Sequence, residues 1–490
     1  MEKRTSIKKN ALLNGLRTVL NVIFPLITFP YISRVLSVDE IGKYNFSVSI
    51  VTYFLLLAAL GIDKYAVREG SKFRDDREQI SRFSSEIFSI NIISTIITYG
   101  ILFLVLFFVP KFNSYYACII ILSLQIFFTT IGTEWLYTIF EDYQYITIRS
   151  IVFKVISILL MFIFVREQGD YLNYAWVSVF ATVGSNVLNF FHAKKYCRIK
   201  FTIRFDWKRV LIPIMVIFAS NVAIQIYVNS DITMLGFIKD DYTVGIYSIS
   251  AKIYNIVKNV LTAILMVSIP RLSLFVGKKM QIDFDKLLLK VTNVLLIFVI
   301  PAMIGLIALS KDVILLIAGK EYLKAIPSLQ ILSCALIFSV FSTLFNQCVL
   351  LPYKREKKFL ISSTFSAALN ITLNFVFIPF LSEVGAAITT LIAELCMAAL
   401  NYIFTKDITK RIFESPSTRK NLATTFVATG GVFLICTFIT RLILNTFIQL
   451  LVSFLLSVLA YIFILLALKN PYITELLNSH ISARKYKMKE

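Results

Sequence analysis

The sequence predicts an all-α, multi-pass membrane protein of about fourteen transmembrane helices, and three observations predict it. The chain has 490 residues, is 57% hydrophobic and has a mean hydropathy of +0.76, beyond what a soluble protein tolerates. Apolar runs of roughly 20 residues, enough to cross a bilayer core as a helix, recur along its whole length. External connections between them are short, which leaves no room for a folded domain outside the membrane and weighs against an enzyme.

In order, the first six spans fall at 11–33, 44–62, 83–109, 116–138, 148–165 and 173–192. The next six fall at 210–237, 242–269, 287–309, 326–350, 359–380 and 385–405, and two less polar spans follow at 422–442 and 446–468. Met1–Asn10 is basic, but the run after it holds Asn14, Arg17 and Asn21 and lacks a small-residue cleavage site. The first span is therefore expected to stay in the protein.

Charge placement orients the chain. An even number of spans puts both termini on one side, and of the 50 Lys and Arg residues about 37 then share that side, about 9 take the other and about 4 lie within spans. Both termini are accordingly expected in the cytoplasm, in a bacterial cytoplasmic membrane. The net charge of +21 thus reads as orientation beside anionic lipid, at Lys194–Arg209, Lys354–Lys358 and Lys406–Lys420. Nucleic acid is not a partner. The six cysteines include no CxxC pair, and all but Cys197 lie in apolar spans; they read as small hydrophobes. The only histidines are His192 and His480, which excludes a histidine-based metal or catalytic site. No cofactor is expected.

Polar residues inside the apolar runs carry the functional signal. Asn221, Gln225 and Asn229 recur every four residues, and Ser248, Lys252, Asn255, Asn259 and Thr262 share one helical face. Asn10, Asn14, Arg17 and Asn21 repeat the pattern in the first span, ahead of a kink expected at Pro25 and Pro30. A charge at the bilayer centre costs at least ~2.5–3.5 kcal/mol, so Lys252 must face water, protein or a charged ligand. The reading is a wet path through the membrane, with Arg17 and Lys252 as its main cations and Lys258 and Lys154 as further ones. Lys252 is either a ligand contact or the partner of Asp231, and both readings are open here. Glu394 lies near the middle of span twelve and is either a protonatable coupling group or a structural acid. Glu134, Glu141, Arg149 and Lys154 cluster near one interface and read as interfacial ion pairs rather than acid/base chemistry.

A short repeat divides the chain. Ile41–Tyr44 (IGKY) and Val244–Tyr247 (VGIY) lie 203 residues apart at the starts of spans two and eight. An offset of six spans keeps both halves in one orientation, so the expectation is two six-helix lobes in parallel pseudo-repeat. The lobes are 1–192 and 210–405, joined by a basic cytoplasmic linker, 193–209. Two added helices, 406–468, and a cytoplasmic tail, 469–490, complete the expected organisation.

Ser230–Ser273 resembles the bacterial polysaccharide-export flippases, the translocases of O-antigen and capsule repeat units, at Asp231, Gly236, Gly245, Tyr247, Lys252, Pro270 and Arg271. These belong to the superfamily that includes multidrug/cation antiporters and the lipid II flippase. Leu373–Glu394 matches at Asn374, Pro379, Gly385, Ala386, Ala387 and Glu394, and Trp135–Lys154 is a third match. Two family glycines are missing: Ile139 stands for one, and Leu381-Ser382-Glu383 carries no equivalent of the other.

The resemblance implies two lobes around a central cationic cavity with alternating access. Its substrate would be an oligosaccharide on undecaprenyl diphosphate, moved from the cytoplasmic to the outer leaflet for capsule, O-antigen or exopolysaccharide synthesis. A polymerase and a chain-length regulator of the same pathway would be further partners. The chemistry suits that substrate: Arg and Lys replace the hydration of a diphosphate, and amides supply donors and acceptors to sugar hydroxyls. Proton or sodium coupling through Glu394 and Asp231, and downhill flipping, are both open. Competing readings are an ion-coupled drug exporter, which would favour acidic over basic cavity residues, and a membrane polymerase or acyltransferase, which would need a long external loop or an intramembrane histidine.

Overall fold

A computed structural model describes residues 24–203, 207–443 and 445–474. Asn14, Arg17 and Asn21 lie outside the described residues. Every regular element among the described residues is helical, and eleven helices are long and apolar enough to cross a membrane. The difference from fourteen has three sources. Most of the first span is outside the described residues; residues 24–35, α1, are helical through Pro25 and Pro30. The sixth span is broken into α8 (Tyr171–Val183) and α9 (Asn186–His192), each too short to cross alone. Spans eleven and twelve run together as the 58-residue α15 (Glu356–Phe413), bent where Ser382 leaves helical geometry at φ 50°, ψ −128°.

The chain forms two compact units, Met1–Gly245 and Ile246–Glu490. The division therefore falls in the first turns of the eighth span, beyond the basic linker 193–209. In the first unit, α2 (Val38–Ala59) packs against α4 (Arg77–Phe108), α5 (Tyr116–Gly132) and α10 (Trp207–Ile238). After α2 comes a short helix, α3 (Ile62–Gly70), and after α5 come α6 (Glu134–Ile139) and α7 (Tyr143–Phe164). Ile62, Ile80, Trp135, Leu136 and Ile214 close a core around α3, α4, α6 and α10.

The start of α2 is set by a capping box: Ser37 Oγ accepts from Glu40 N at 3.3 Å, and Glu40 accepts from Ser37 N at 2.8 Å. The helix α11 (Asp241–Gly277) starts 203 residues later, with Asp240 Oδ1 accepting from Thr243 N at 2.8 Å. The side-chain and backbone hydrogen bonds from Thr243 hold the Asp240 carboxyl below its ordinary range. The second unit comprises the rest of α11, then α12 (Gln281–Ala308), α13 (Ser310–Ile317), α14 (Ile326–Leu344), α15, α16 (Pro416–Leu442) and α17 (Thr446–Ala467). Leu295, Val299, Leu344, Val349 and Ile408 are buried in its core. The appended helices α16 and α17 pack on each other and on α12, where Tyr461 donates to Ile297 O at 2.7 Å.

Candidate functional site

The polar stripe of α10 is built into the first unit. Lys64 Nζ, on α3, donates to Asn221 Oδ1 at 3.1 Å. One turn on, Asn229 Nδ2 donates to Gln225 O at 3.3 Å. The Thr233 hydroxyl then lies 2.9 Å from Asn229 O, 3.2 Å from Ser49 Oγ and 3.2 Å from Tyr53 Oη, tying α10 to α2. Asn221, Gln225 and Asn229 are half-buried and Asp231 is buried. Lys64 was not legible as a site residue: it sits in a mixed-charge stretch, and its partner is 157 residues away.

On α11 the polar residues singled out from the sequence take two roles. Lys252 is half-buried, and Asn255 and Asn259 are exposed. Lys258, by contrast, points at α15: its Nζ is 3.1 Å from Glu394 Oε1, which also accepts from Tyr254 at 3.1 Å and from Ser339 Oγ on α14 at 3.0 Å. Glu394 is 4% exposed, so its negative charge is held by three donors inside the unit. The Lys258 ammonium also lies over the Tyr254 ring, 5.6 Å from its centroid. Tyr254 and Lys258 are spaced i,i+4, which puts both on the face that meets Glu394. Lys258, expected as a cavity cation, and Glu394, expected as either a coupling group or a structural acid, are thus partners of each other.

The remaining charges are paired near α6 and α7. Arg149, 6% exposed, reaches Glu134 at 2.9 Å and lies 5.9 Å from the Tyr145 ring centroid. Glu141 pairs with Arg74 at 2.8 Å, and Lys154 lies over the Phe24 ring at 5.8 Å. Among the described residues no group of His, Cys, Asp and Glu could hold a metal ion.

Membrane-crossing helices with internal amides, a half-buried lysine and a buried ion pair define a polytopic membrane protein with a polar interior. In fold, the chain is similar to the lipid II flippase MurJ in its inward closed conformation, with a TM-score of 0.71 and 18% identity over 96% of this chain and 99% of that one. The chain belongs to the polysaccharide biosynthesis protein family, whose sequence pattern matches residues 7–276. It is 24% identical over 417 residues to a putative O-antigen transporter of Escherichia coli K12, covering 82% of this chain and 98% of that protein. It is 23% identical over 398 residues to the capsular polysaccharide biosynthesis protein CapF of Staphylococcus aureus, covering 80% and 97%. The O-antigen relative and the MurJ structure are named as a transporter and a flippase, not as enzymes.

Proposed function

We propose that this protein moves oligosaccharide repeat units linked to undecaprenyl diphosphate from the cytoplasmic to the outer leaflet, by alternating access, for surface polysaccharide synthesis. The observation that carries the reading is Lys252, half-buried about 17 Å along α11 with Asn255 and Asn259 exposed on the same helix. A cation at that depth is placed to contact an anionic headgroup alongside its protein contacts. The diphosphate supplies it, while the amides suit sugar hydroxyls and the polyprenyl tail stays in lipid.

Arg17, Asn14, Asn21, Asn221, Gln225 and Lys252 are proposed to line the head-group path, with Lys64 added to them. Lys258 and Lys154 are assigned supporting roles, since their contacts are to Glu394 and Phe24. The link between Glu394 and Lys258 favours a carboxylate that responds to ligand through its lysine partner; Asp231 and the coupling ion, proton or sodium, belong to the same proposal. Both termini are proposed to be cytoplasmic, and the polymerase and chain-length regulator to act on the exported unit.

The test is reconstitution into liposomes with an undecaprenyl-diphosphate oligosaccharide. Wild type is expected to expose the glycan to an external glycosidase, and Arg17→Ala and Lys252→Ala to slow exposure at least tenfold with folding intact. Full activity in both variants, or efflux of cationic drugs without glycan movement, would refute the proposal.

A further inference from the structure

The basic segment between α9 and α10 is held in an unusual way. Residues 198–203 are not helical; they lie along α4, bonded to a ladder of serines. Arg198 N donates to Ser81 Oγ at 3.0 Å, Lys200 N to Ser85 Oγ at 3.0 Å and Thr202 N to Ser89 Oγ at 2.8 Å. The registers match: four residues of helix rise about 6 Å, and two residues of extended chain advance about 6.6 Å. Each serine hydroxyl also donates to the carbonyl four residues earlier, Arg77, Ser81 and Ser85, at 2.6–2.7 Å. The ladder bonds to backbone groups of the strap, so Arg198 and Lys200 are left exposed.

Those side chains alternate. Arg198 and Lys200 are exposed on one face, about 7 Å apart, close enough to reach one phosphodiester together. On the other, Ile199 packs against the core while Phe201 and Ile203, further along, are 59% and 67% exposed. The strap also runs toward the apolar part of α4. Ile96 and Ile97, 65% and 57% exposed, lie about 10 Å beyond Ser89 on the same helix. Exposed isoleucines on a membrane-crossing helix face acyl chains. Cations followed by apolar side chains, rising toward that level, fit a headgroup layer with the hydrocarbon boundary above it.

We infer that the strap 198–203 is a binding surface for anionic phospholipid, with Arg198 and Lys200 on the phosphodiester and Phe201 and Ile203 at the acyl boundary. The serine ladder gives the surface its shape, because it fixes which residues of the strap face lipid. The inference is independent of the transported substrate.

The experiment uses the full chain in nanodiscs of equal phosphatidylcholine and phosphatidylglycerol, with retained lipids counted by native mass spectrometry. Wild type is expected to retain phosphatidylglycerol preferentially. Arg198→Ala and Lys200→Ala should each lower that preference about fivefold, and the double variant about twenty-five-fold. Neither disturbs a backbone bond, so the melting temperature should hold; should the double variant misfold, Lys200→Gln alone is read instead. Phe201→Ser with Ile203→Ser is expected to reduce retention of both lipids. Unchanged preference in the double variant would overturn the inference. So would an equal loss on replacing the exposed Lys278 and Lys279 by alanine, because total charge alone would then explain it. Displacement of retained phosphatidylglycerol by millimolar inorganic phosphate would assign the surface to a free anion and also overturn it.

Discussion

Gly42 on α2 packs so closely on the start of α11 that an added Cβ would lie 1.8 Å from the carbonyl oxygen of Asp241. The reciprocal contact exists 203 residues along: a Cβ at Gly245 would lie 2.2 Å from Val38 O. Val38 and Asp241 are the first residues of their helices, and the caps Ser37 and Asp240 keep the same offset. The short repeat therefore has a physical basis, in two helix starts that cross backbone to backbone and admit no side chain at the crossing.

Gly42→Ala and Gly245→Ala should each destabilise the protein. Alanine gains up to ~1 kcal/mol of helix propensity, but overpacking costs about 1–3 kcal/mol and more where the obstacle is backbone. The expected result is a lower melting temperature in detergent for both. A higher melting temperature in either would show that the crossing relaxes freely.

Ser382→Gly should have the opposite sign. At φ 50°, ψ −128° the serine occupies a conformation that suits glycine, and the related flippases resembled here carry a glycine close to this point. Relief of about 1 kcal/mol is expected, read as a higher melting temperature with transport retained. No gain would mean that contacts of the hydroxyl offset the backbone strain.

Glu394→Ala should be severe, because it strands the Lys258 charge among buried groups; about 3–5 kcal/mol is the scale for breaking such a pair. Lys258→Ala should also destabilise, since it leaves the Glu394 carboxylate with only Tyr254 and Ser339. The double variant should recover part of the loss, with a coupling energy of about 1–3 kcal/mol. Strict additivity in thermal melts would show that the two residues act separately.

Lys64→Ala should act on transport and not on folding. Lys64 is exposed apart from its bond to Asn221, so the melting temperature should change little. Loss of one charge-assisted bond to a diphosphate is worth about 1.5–3 kcal/mol, which predicts a rise of roughly tenfold or more in the concentration of lipid-linked oligosaccharide giving half-maximal flipping. Lys64→Arg should recover most of it. A changed melting temperature with unchanged transport would make Lys64 structural.

What the sequence determined by itself was the membrane class, most of the spans and the polar faces, because hydropathy and helical period are local properties of side-chain order. Asn221, Gln225 and Asn229 could be placed on one face from spacing alone, and the 203-residue offset could be read from IGKY and VGIY. Tertiary structure decided the partners. No local pattern pairs Lys258 with a glutamate 136 residues away, Lys64 with Asn221, or three backbone amides with serines on α4. Lys258 was legible as an intramembrane cation but not as the partner of Glu394, since both assignments satisfy the same desolvation cost. A buried charge announces in sequence that it needs compensation; which group supplies it depends on which helices meet, and packing alone settles that.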